Sequence, residues 1–347
     1  MKRLVLSLVL LSMLFSTFAQ PENNSKKFKP IVQVFGTAAY NFNASIFNYG
    51  IGRAHLGFSY SYNENWSAKI IIDRGRPTTI GQIIVTDSAG NVLSVQNPSK
   101  EGAFYTMFLK FASLKWKLND KLSIEGGAIL QNHYITQERF WGLRYVAQTF
   151  QDMYWFIPSS DLGFIAYYKI NDKFSFDAAL TNGEGPRVNQ DALGKIKYAT
   201  GFNFNPSSGI KSRIYYHYKQ SAENDALVEQ LFSIFIGVKT EHRSRIGGEF
   251  NYMSNLKSVR GLNSYGFSIY GAYVFSDSFE LFARFDRLIY DIPKENPLFI
   301  FGNGYNLIGG VSYSPVKDVN LSINYQGWLP DNNTSQNRIL LSMAFIF

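Results

Sequence analysis

Hydrophobic and polar residues alternate with a period of two along most of the chain. Val319, Leu321, Ile323 and Tyr325, for example, are separated by asparagine and serine. This alternation is typical of strands with one apolar face. The apolar faces recur too often for a soluble sandwich, and no complementary helices are available to cover them. The pattern predicts sixteen strands, over residues 31–42, 50–62, 66–75, 104–118, 122–133, 162–170, 174–182, 195–205, 210–219, 230–239, 244–254, 263–276, 279–290, 304–314, 319–328 and 337–347.

The connections between the predicted strands differ in length on the two sides. Links after even-numbered strands are short and rich in turn-forming residues, as in 63–65, 119–121 and 171–173. Links after odd-numbered strands are longer, notably 76–103 and 134–161. An even strand count with short turns on one side and long loops on the other is typical of outer-membrane barrels. We therefore expect an all-β fold, a transmembrane antiparallel β-barrel of about sixteen strands over residues 31–347.

The two ends of the sequence agree with export to an outer membrane. Lys2 and Arg3 precede an apolar run over residues 4–15, and small residues lead to Ala19, which predicts a signal peptide over 1–19. The alternative is an uncleaved anchor helix, but the run is short for a membrane span of about 20 residues. Residues 20–30 are polar and are expected to be flexible. The last predicted strand ends in Phe347 and resembles the C-terminal signature that the barrel-assembly machinery recognises.

Composition fits a chain that faces both lipid and water. Aromatic residues make up 16% of the sequence and charged residues only 17%, while cysteine is absent. The mean hydropathy of −0.13 argues against a helical membrane bundle. The predicted partners are the lipid bilayer and lipopolysaccharide. Small outward residues on the early strands, Gly36, Ala38, Gly126 and Ala128, would leave a flat wall, which favours a homotrimer.

Charged side chains fall mainly on the inward face of the predicted strands. Fourteen cations and six acids point inward in this register, a surplus of eight positive charges. A low-dielectric wall with this surplus would concentrate anions. The alternative is that the cations pair with inward acids and stabilise the wall. The predicted pore-lining residues are Arg53, Lys69, Lys115, Lys211, Arg213, Arg245 and Arg284.

The third long link, residues 134–161, is too aromatic for a freely solvated loop. Its aromatic side chains need a surface to bury against, and the inner barrel wall offers one. We expect this loop to fold inward and to bring Arg139 and Arg144 to the narrowest part of the pore, beside Glu138 and Asp152. The alternative is an aromatic cap folded on the outer rim.

This region also carries a family resemblance. The stretch from Glu138 through Phe150-Gln-Asp to Ser159-Ser-Asp-Leu-Gly-Phe164 resembles Bacteroidetes outer-membrane porins related to the phosphate-selective porins O and P. The resemblance implies a sixteen-stranded, often trimeric diffusion channel for anions such as phosphate. No ladder of phosphate-binding residues can be assigned to this chain.

Other functional classes find little support in the sequence. The four histidines form no close metal-ligand pair and cysteine is absent, so neither a catalytic residue nor a metal or cofactor site is predicted. The basic residues are spread along strands rather than clustered, which argues against nucleic-acid binding. The predicted function is a passive outer-membrane porin for small hydrophilic solutes that prefers anions, rather than an enzyme. The alternative is a closed structural or adhesive barrel without significant conductance.

Overall fold

The computed structural model describes residues 27–75, 83–88, 92–96, 107–186, 194–220, 227–240, 243–291 and 302–347. Short helices α1 (Ile135–Trp141) and α2 (Phe150–Tyr154) and a 3₁₀-helix (Leu256–Ser258) accompany eighteen strands in this part of the chain. The strands are β1 (Phe28–Asn41), β2 (Ile46–Ser61), β3 (Trp66–Arg74), β4 (Ile83–Thr86), β5 (Val92–Gln96), β6 (Met107–Lys117), β7 (Leu122–Leu130), β8 (Ser160–Lys169), β9 (Phe174–Thr181), β10 (Lys197–Ser207), β11 (Ile210–Lys219), β12 (Glu229–Lys239), β13 (Ser244–Ser254), β14 (Asn263–Ser276), β15 (Phe279–Asp291), β16 (Gly304–Val316), β17 (Val319–Pro330) and β18 (Gln336–Ile346).

Sixteen of these strands form one closed antiparallel barrel. Each pairs with its neighbours along the chain, β3 pairs with β6, and β1 pairs with β18 to close the sheet. The predicted barrel and its strand count are therefore confirmed. The alternation pattern did not predict β4 and β5, which form a separate two-stranded sheet within the link expected to be a loop.

The barrel begins slightly earlier than the sequence pattern indicated. β1 starts at Phe28, whereas residues up to 30 were expected to be flexible. The predicted signal peptide over 1–19 and the following residues up to 26 lie outside the described residues. Among the residues that the structure does describe, no helix is long and apolar enough to cross a membrane.

Asparagine side chains shape three of the short turns. The Oδ1 atom of Asn63 accepts hydrogen bonds from the backbone N–H groups of Asn65 and Trp66, at 2.9 and 2.8 Å. Asn119 and Asn171 make the same pair of contacts to the residues two and three positions later. These turns satisfy backbone donors locally, which explains why asparagine predicted their positions. The end of the barrel that carries the short turns is called the turn rim below, and the opposite end the loop rim.

The outer wall is apolar and carries aromatic pairs near the turn rim. Trp66 stacks on Trp116 with ring centroids 5.2 Å apart, and Phe174 stacks on Phe204 at 4.7 Å. Outward side chains such as Phe164 and Ile323 are more than half exposed. An apolar band edged by aromatic residues is the arrangement expected of a barrel wall in contact with lipid.

A β-bulge turns one lysine into the barrel. The pairing of β3 with β6 slips so that Ile71 opposes Phe111 and Ile72 opposes Leu109, which leaves Lys110 as the extra residue. Strict alternation would place Lys110 on the outer wall. Instead it is buried, with its Nζ 2.8 Å from Asp73 Oδ2.

Candidate pore and its inward-folded segment

Residues 131–159, called the inward segment below, fold into the barrel and pack against its inner wall. Trp141 and Phe150 are fully buried. The Phe140 ring lies 5.4 Å from that of Phe235 on β12, and Trp141 lies 5.1 Å from Tyr270 on β14. The aromatic residues therefore bury against the wall inside the barrel, and the predicted inward fold is confirmed over the alternative of a cap on the outer rim.

Polar side chains of the wall fix the inward segment in place. Tyr154 donates a hydrogen bond of 2.7 Å to Asp286 on β15, and Trp155 Nε1 donates one of 2.8 Å to Ser264 on β14. The wall also reaches the segment's backbone, since Gln326 Nε2 donates to the Val146 carbonyl at 3.0 Å. Buried polar groups that find partners in this way specify one position of the segment in the lumen.

Two of the predicted pore-lining arginines serve this packing rather than facing open water. Arg284 is buried, pairs with Asp286 and donates to the Gln148 carbonyl. Arg245 pairs with Glu280 and donates to the Trp141 carbonyl at 3.1 Å. Their charges are compensated by neighbouring acids, which matches the alternative that inward cations stabilise the wall.

Arg213 is likewise buried, in a two-pronged ion pair with Asp177. Its two terminal nitrogens lie 2.7 and 2.9 Å from the two carboxylate oxygens of that residue. A fork of this kind fixes both side chains and offsets the cost of burying each charge.

The structure brings three of the four predicted constriction residues together. Arg144 contacts Glu138 through Nε at 2.9 Å and Asp152 through a terminal nitrogen at 2.7 Å. Arg53 on β2, one of the predicted pore-lining residues, approaches Glu138 to 4.0 Å and donates to Gln33 at 2.8 Å. Two arginines and two acids make this cluster formally neutral. Their side chains retain 11–19% exposure.

Electrostatics within the cluster hold Arg144 in its charged form. Burial disfavours the charge on Arg144, but the nearby carboxylates of Asp152 and Glu138 outweigh that cost and raise its pKa. Removing Arg144 would therefore leave Asp152 without its ion pair and Glu138 with only the longer contact to Arg53.

Arg139, the fourth predicted constriction residue, lies elsewhere. It is exposed and lines a cavity of about 830 Å³ that opens at the turn rim, away from Arg144. Seven cations and four acids line this cavity, a surplus of three positive charges. The cations are Lys69, Lys115, Lys117, Lys121, Arg139, Lys169 and Arg213.

Two predicted pore-lining lysines face this cavity. Lys69 lies 3.8 Å from Glu125, and Lys115 lies over the Tyr167 ring at 4.9 Å. Lys211 on β11 is half-exposed and has no ion pair among the described residues. These lysines are the predicted cations that keep contact with open space.

A second cavity, of about 650 Å³, opens at the loop rim. Amide side chains dominate its lining, and Arg338 is the one charged residue among the described residues that line it. Arg338 donates a hydrogen bond of 2.7 Å to Gln326. The inward segment lines this cavity through Met153 and Tyr154, and it lines the turn-rim cavity through Arg139. The segment therefore lies between the two openings of the barrel.

The surroundings of two histidines could not be predicted from the sequence. His217 is fully buried, with Nε2 3.5 Å from Glu229 Oε1. His55 lies 3.2 Å from Asp73, beside the bulged Lys110. Within the described ranges, no group of three or more histidine or acidic residues could hold a metal ion.

The barrel is similar to outer-membrane porins of known structure. OmpF of Salmonella typhi, in a complex with daunomycin, is 10% identical with a TM-score of 0.69, and the match covers 95% of this chain and 100% of that one. OprB of Pseudomonas putida, in its high-pH structure, is 12% identical with a TM-score of 0.66, over 93% and 94% of the two chains. The outer membrane channel DcaP of Acinetobacter baumannii is 13% identical with a TM-score of 0.58, over 92% and 97%.

Sequence comparisons add no family. No protein-family model matches the chain, and no curated protein matches it significantly. The likeness to solved structures therefore shows the fold alone, a closed sixteen-stranded barrel of the porin type.

Proposed function

We propose that the protein is an outer-membrane porin, a passive diffusion channel for small hydrophilic solutes rather than an enzyme. The observation that carries this proposal is the arrangement of the barrel interior. Two polar cavities open at opposite rims, and the inward segment with its charged cluster lies between them. A closed sheet has its backbone groups paired and its apolar face outward, as a bilayer requires.

A preference for anions is part of this proposal. Its support is the turn-rim cavity, whose surplus of three positive charges would raise the local concentration of anions. The neutral cluster around Arg144 contributes no net attraction. We therefore assign the preference to the lysines of the turn rim, whereas the sequence pattern derived it from the charge surplus of all the inward strand positions. Selectivity for phosphate stays a prediction from the family resemblance.

A second candidate function has support of its own. The inward segment forms a hydrophobic core with β12, β14, β15 and β16 inside the barrel, around Trp141 and Phe235. A lumen filled in this way also suits a closed structural or adhesive barrel without conductance.

Recordings from the refolded protein in planar bilayers distinguish the two candidates. A porin gives stable conductance steps, and its reversal potential in a KCl gradient has the sign of chloride permeation. A closed barrel inserts without giving conductance steps. Heat-modifiable migration on gels would then show that the non-conducting protein is folded. Conductance with a cation-selective reversal potential would contradict the assigned preference alone.

A further inference from the structure

A third cavity lies at the loop rim, apart from the two openings of the barrel. It has a volume of about 210 Å³ and is lined by the end of the inward segment, the wall strands β10 to β13 and the 3₁₀-helix. This volume is below the roughly 300–1,000 Å³ of pockets that hold drug-sized ligands. The cavity therefore suits a small molecule.

Its polar side is strongly basic. Lys195, Lys197, Lys219 and Lys257 line it, with Glu229 as the acid among the lining residues. Lys197 is buried and donates to Gln131 at 3.1 Å. The ammonium groups of the other three lysines have no hydrogen bond or ion pair among the described residues. Four lysines beside one acid leave a local surplus of positive charge, which a bound anion would offset.

A buried side chain in the lining lacks a partner. His217 is fully buried, and its Nδ1 has no hydrogen-bond partner in the described part of the chain. A buried polar atom without a partner costs free energy, so it indicates a missing water or ligand.

The cavity also has apolar lining residues. Trp155 and Ile157 from the inward segment line it together with Met253 and Leu256 from the wall and the 3₁₀-helix, and the four belong to one hydrophobic cluster. An inorganic anion would gain nothing from these contacts. An anion with an apolar body would bury that body on them while its charged group meets the lysines.

The backbone around the cavity is held in an unusual conformation. Lys257 and Ser258 have φ of 55° and 63°, and Phe156 on the facing segment has φ of 53°. The Lys257 N–H donates to Glu229 at 2.7 Å, which fixes the strained turn beside the cavity. Left-handed non-glycine residues are costly and concentrate at functional sites.

We infer that this cavity is a binding site for a small organic carboxylate with an apolar body. The carboxylate accepts hydrogen bonds from Lys219 and Lys257, and the body packs on Trp155 and Leu256. The inference is independent of conductance, because the cavity is distinct from both openings of the barrel.

Calorimetric titration of the refolded full chain in detergent tests the site with three probes. Benzoate carries both the charge and the apolar body, inorganic phosphate carries only charge, and benzyl alcohol carries only the body. We expect saturable binding of benzoate, at least about tenfold tighter than either of the others. Absence of saturable benzoate binding, or equal binding of phosphate or benzyl alcohol, would overturn the inference.

Variants locate the site. Lys219→Gln with Lys257→Gln removes two donors and should weaken benzoate binding at least about tenfold. The matched control is Lys173→Gln together with Lys317→Gln, which removes the same charge from exposed turns at the other rim and should leave binding unchanged. Heat-modifiable migration shows that each variant has folded. If both double variants weaken benzoate binding equally, or if neither weakens it, benzoate does not bind in this cavity.

Discussion

The ring of Phe140 occupies the space that a side chain at Gly237 would need. A β-carbon at position 237 would lie 2.5 Å from Phe140 Cζ, which is closer than real contacts allow. Phe140 belongs to α1 of the inward segment and Gly237 to β12 of the wall. The absence of a side chain at Gly237 therefore leaves a socket on β12 into which the Phe140 ring packs, and this contact helps to hold the inward segment in the barrel.

Filling this socket should loosen the segment. Gly237→Ala is expected to destabilise the folded barrel by about 1–3 kcal/mol, because the buried ring must move. A lower temperature for the heat-induced shift on gels measures the effect. Phe140→Leu in the same chain should restore part of the loss, since the two positions are in contact. Gly248→Ala is the control, because its β-carbon would meet only the Ser268 carbonyl at an ordinary 3.6 Å.

Arg144 balances the two acids of the central cluster. Arg144→Gln should shift the reversal potential toward cations, because Arg53 alone then faces Glu138 and Asp152 and the cluster carries one net negative charge. Glu138→Gln with Asp152→Asn should shift it toward anions. Lys317→Gln, in an exposed turn, should leave it unchanged. Equal reversal potentials in the Arg144 and acid variants would show that ions do not pass this cluster.

The lysines of the turn rim should act most strongly at low salt. Lys69→Gln with Lys115→Gln is expected to reduce anion preference in dilute KCl. The reduction should shrink at 1 M salt, where the screening length falls to about 3 Å. Reversal potentials at several mean concentrations with a fixed gradient measure it. If the parent and the variant have the same anion preference at low salt, Lys69 and Lys115 are not the source of the selectivity.

Asp331, in the link between β17 and β18, forms an exposed pair with Arg287. Hydrogen bonds from the guanidinium, at 2.6 and 2.8 Å, lower the pKa of Asp331. The pair is fully formed above the ordinary pKa of aspartate and is lost as pH falls through the lowered value. Arg287→Gln should return the pKa upward in an NMR titration of labelled aspartate, whereas Arg243→Gln should not. An exposed pair of this kind should change stability little.

An apolar groove on the outer wall is where we expect copies of the chain to meet. It has a volume of about 1,100 Å³ and runs past the small residues Gly36 and Ala38 on β1. Gly126, which the sequence analysis grouped with them, is covered by the Phe164 ring. Ala38→Trp should therefore convert a trimer to monomers in native mass spectrometry, whereas the outward Ala283→Trp, outside the groove, should not. A parent chain that is monomeric in native membranes would contradict this expectation.

The sequence predicted the barrel well because its strands obey simple rules. Outward residues such as Ile323 alternate with inward polar ones, and asparagine marks turns through contacts within three residues. The inward segment was also predictable, since so many aromatic residues need a surface to bury against.

Other features depend on contacts between distant parts of the chain. The bulge at Lys110 breaks the alternation, so its inward position could not be read from the pattern. The partners of Arg213 and Arg284 depend on strand register and on where the inward segment lies. Arg139 and Arg144 are five positions apart in the chain, but α1 ends between them, and only Arg144 turns toward Asp152.

Single-channel recording of the refolded protein tests the central claim most directly. We predict stable conductance steps and a reversal potential of the sign expected for chloride in a KCl gradient. Lys69→Gln with Lys115→Gln should reduce this anion preference at low salt. Folded, inserted protein that never conducts would contradict the central claim and would identify the barrel as closed.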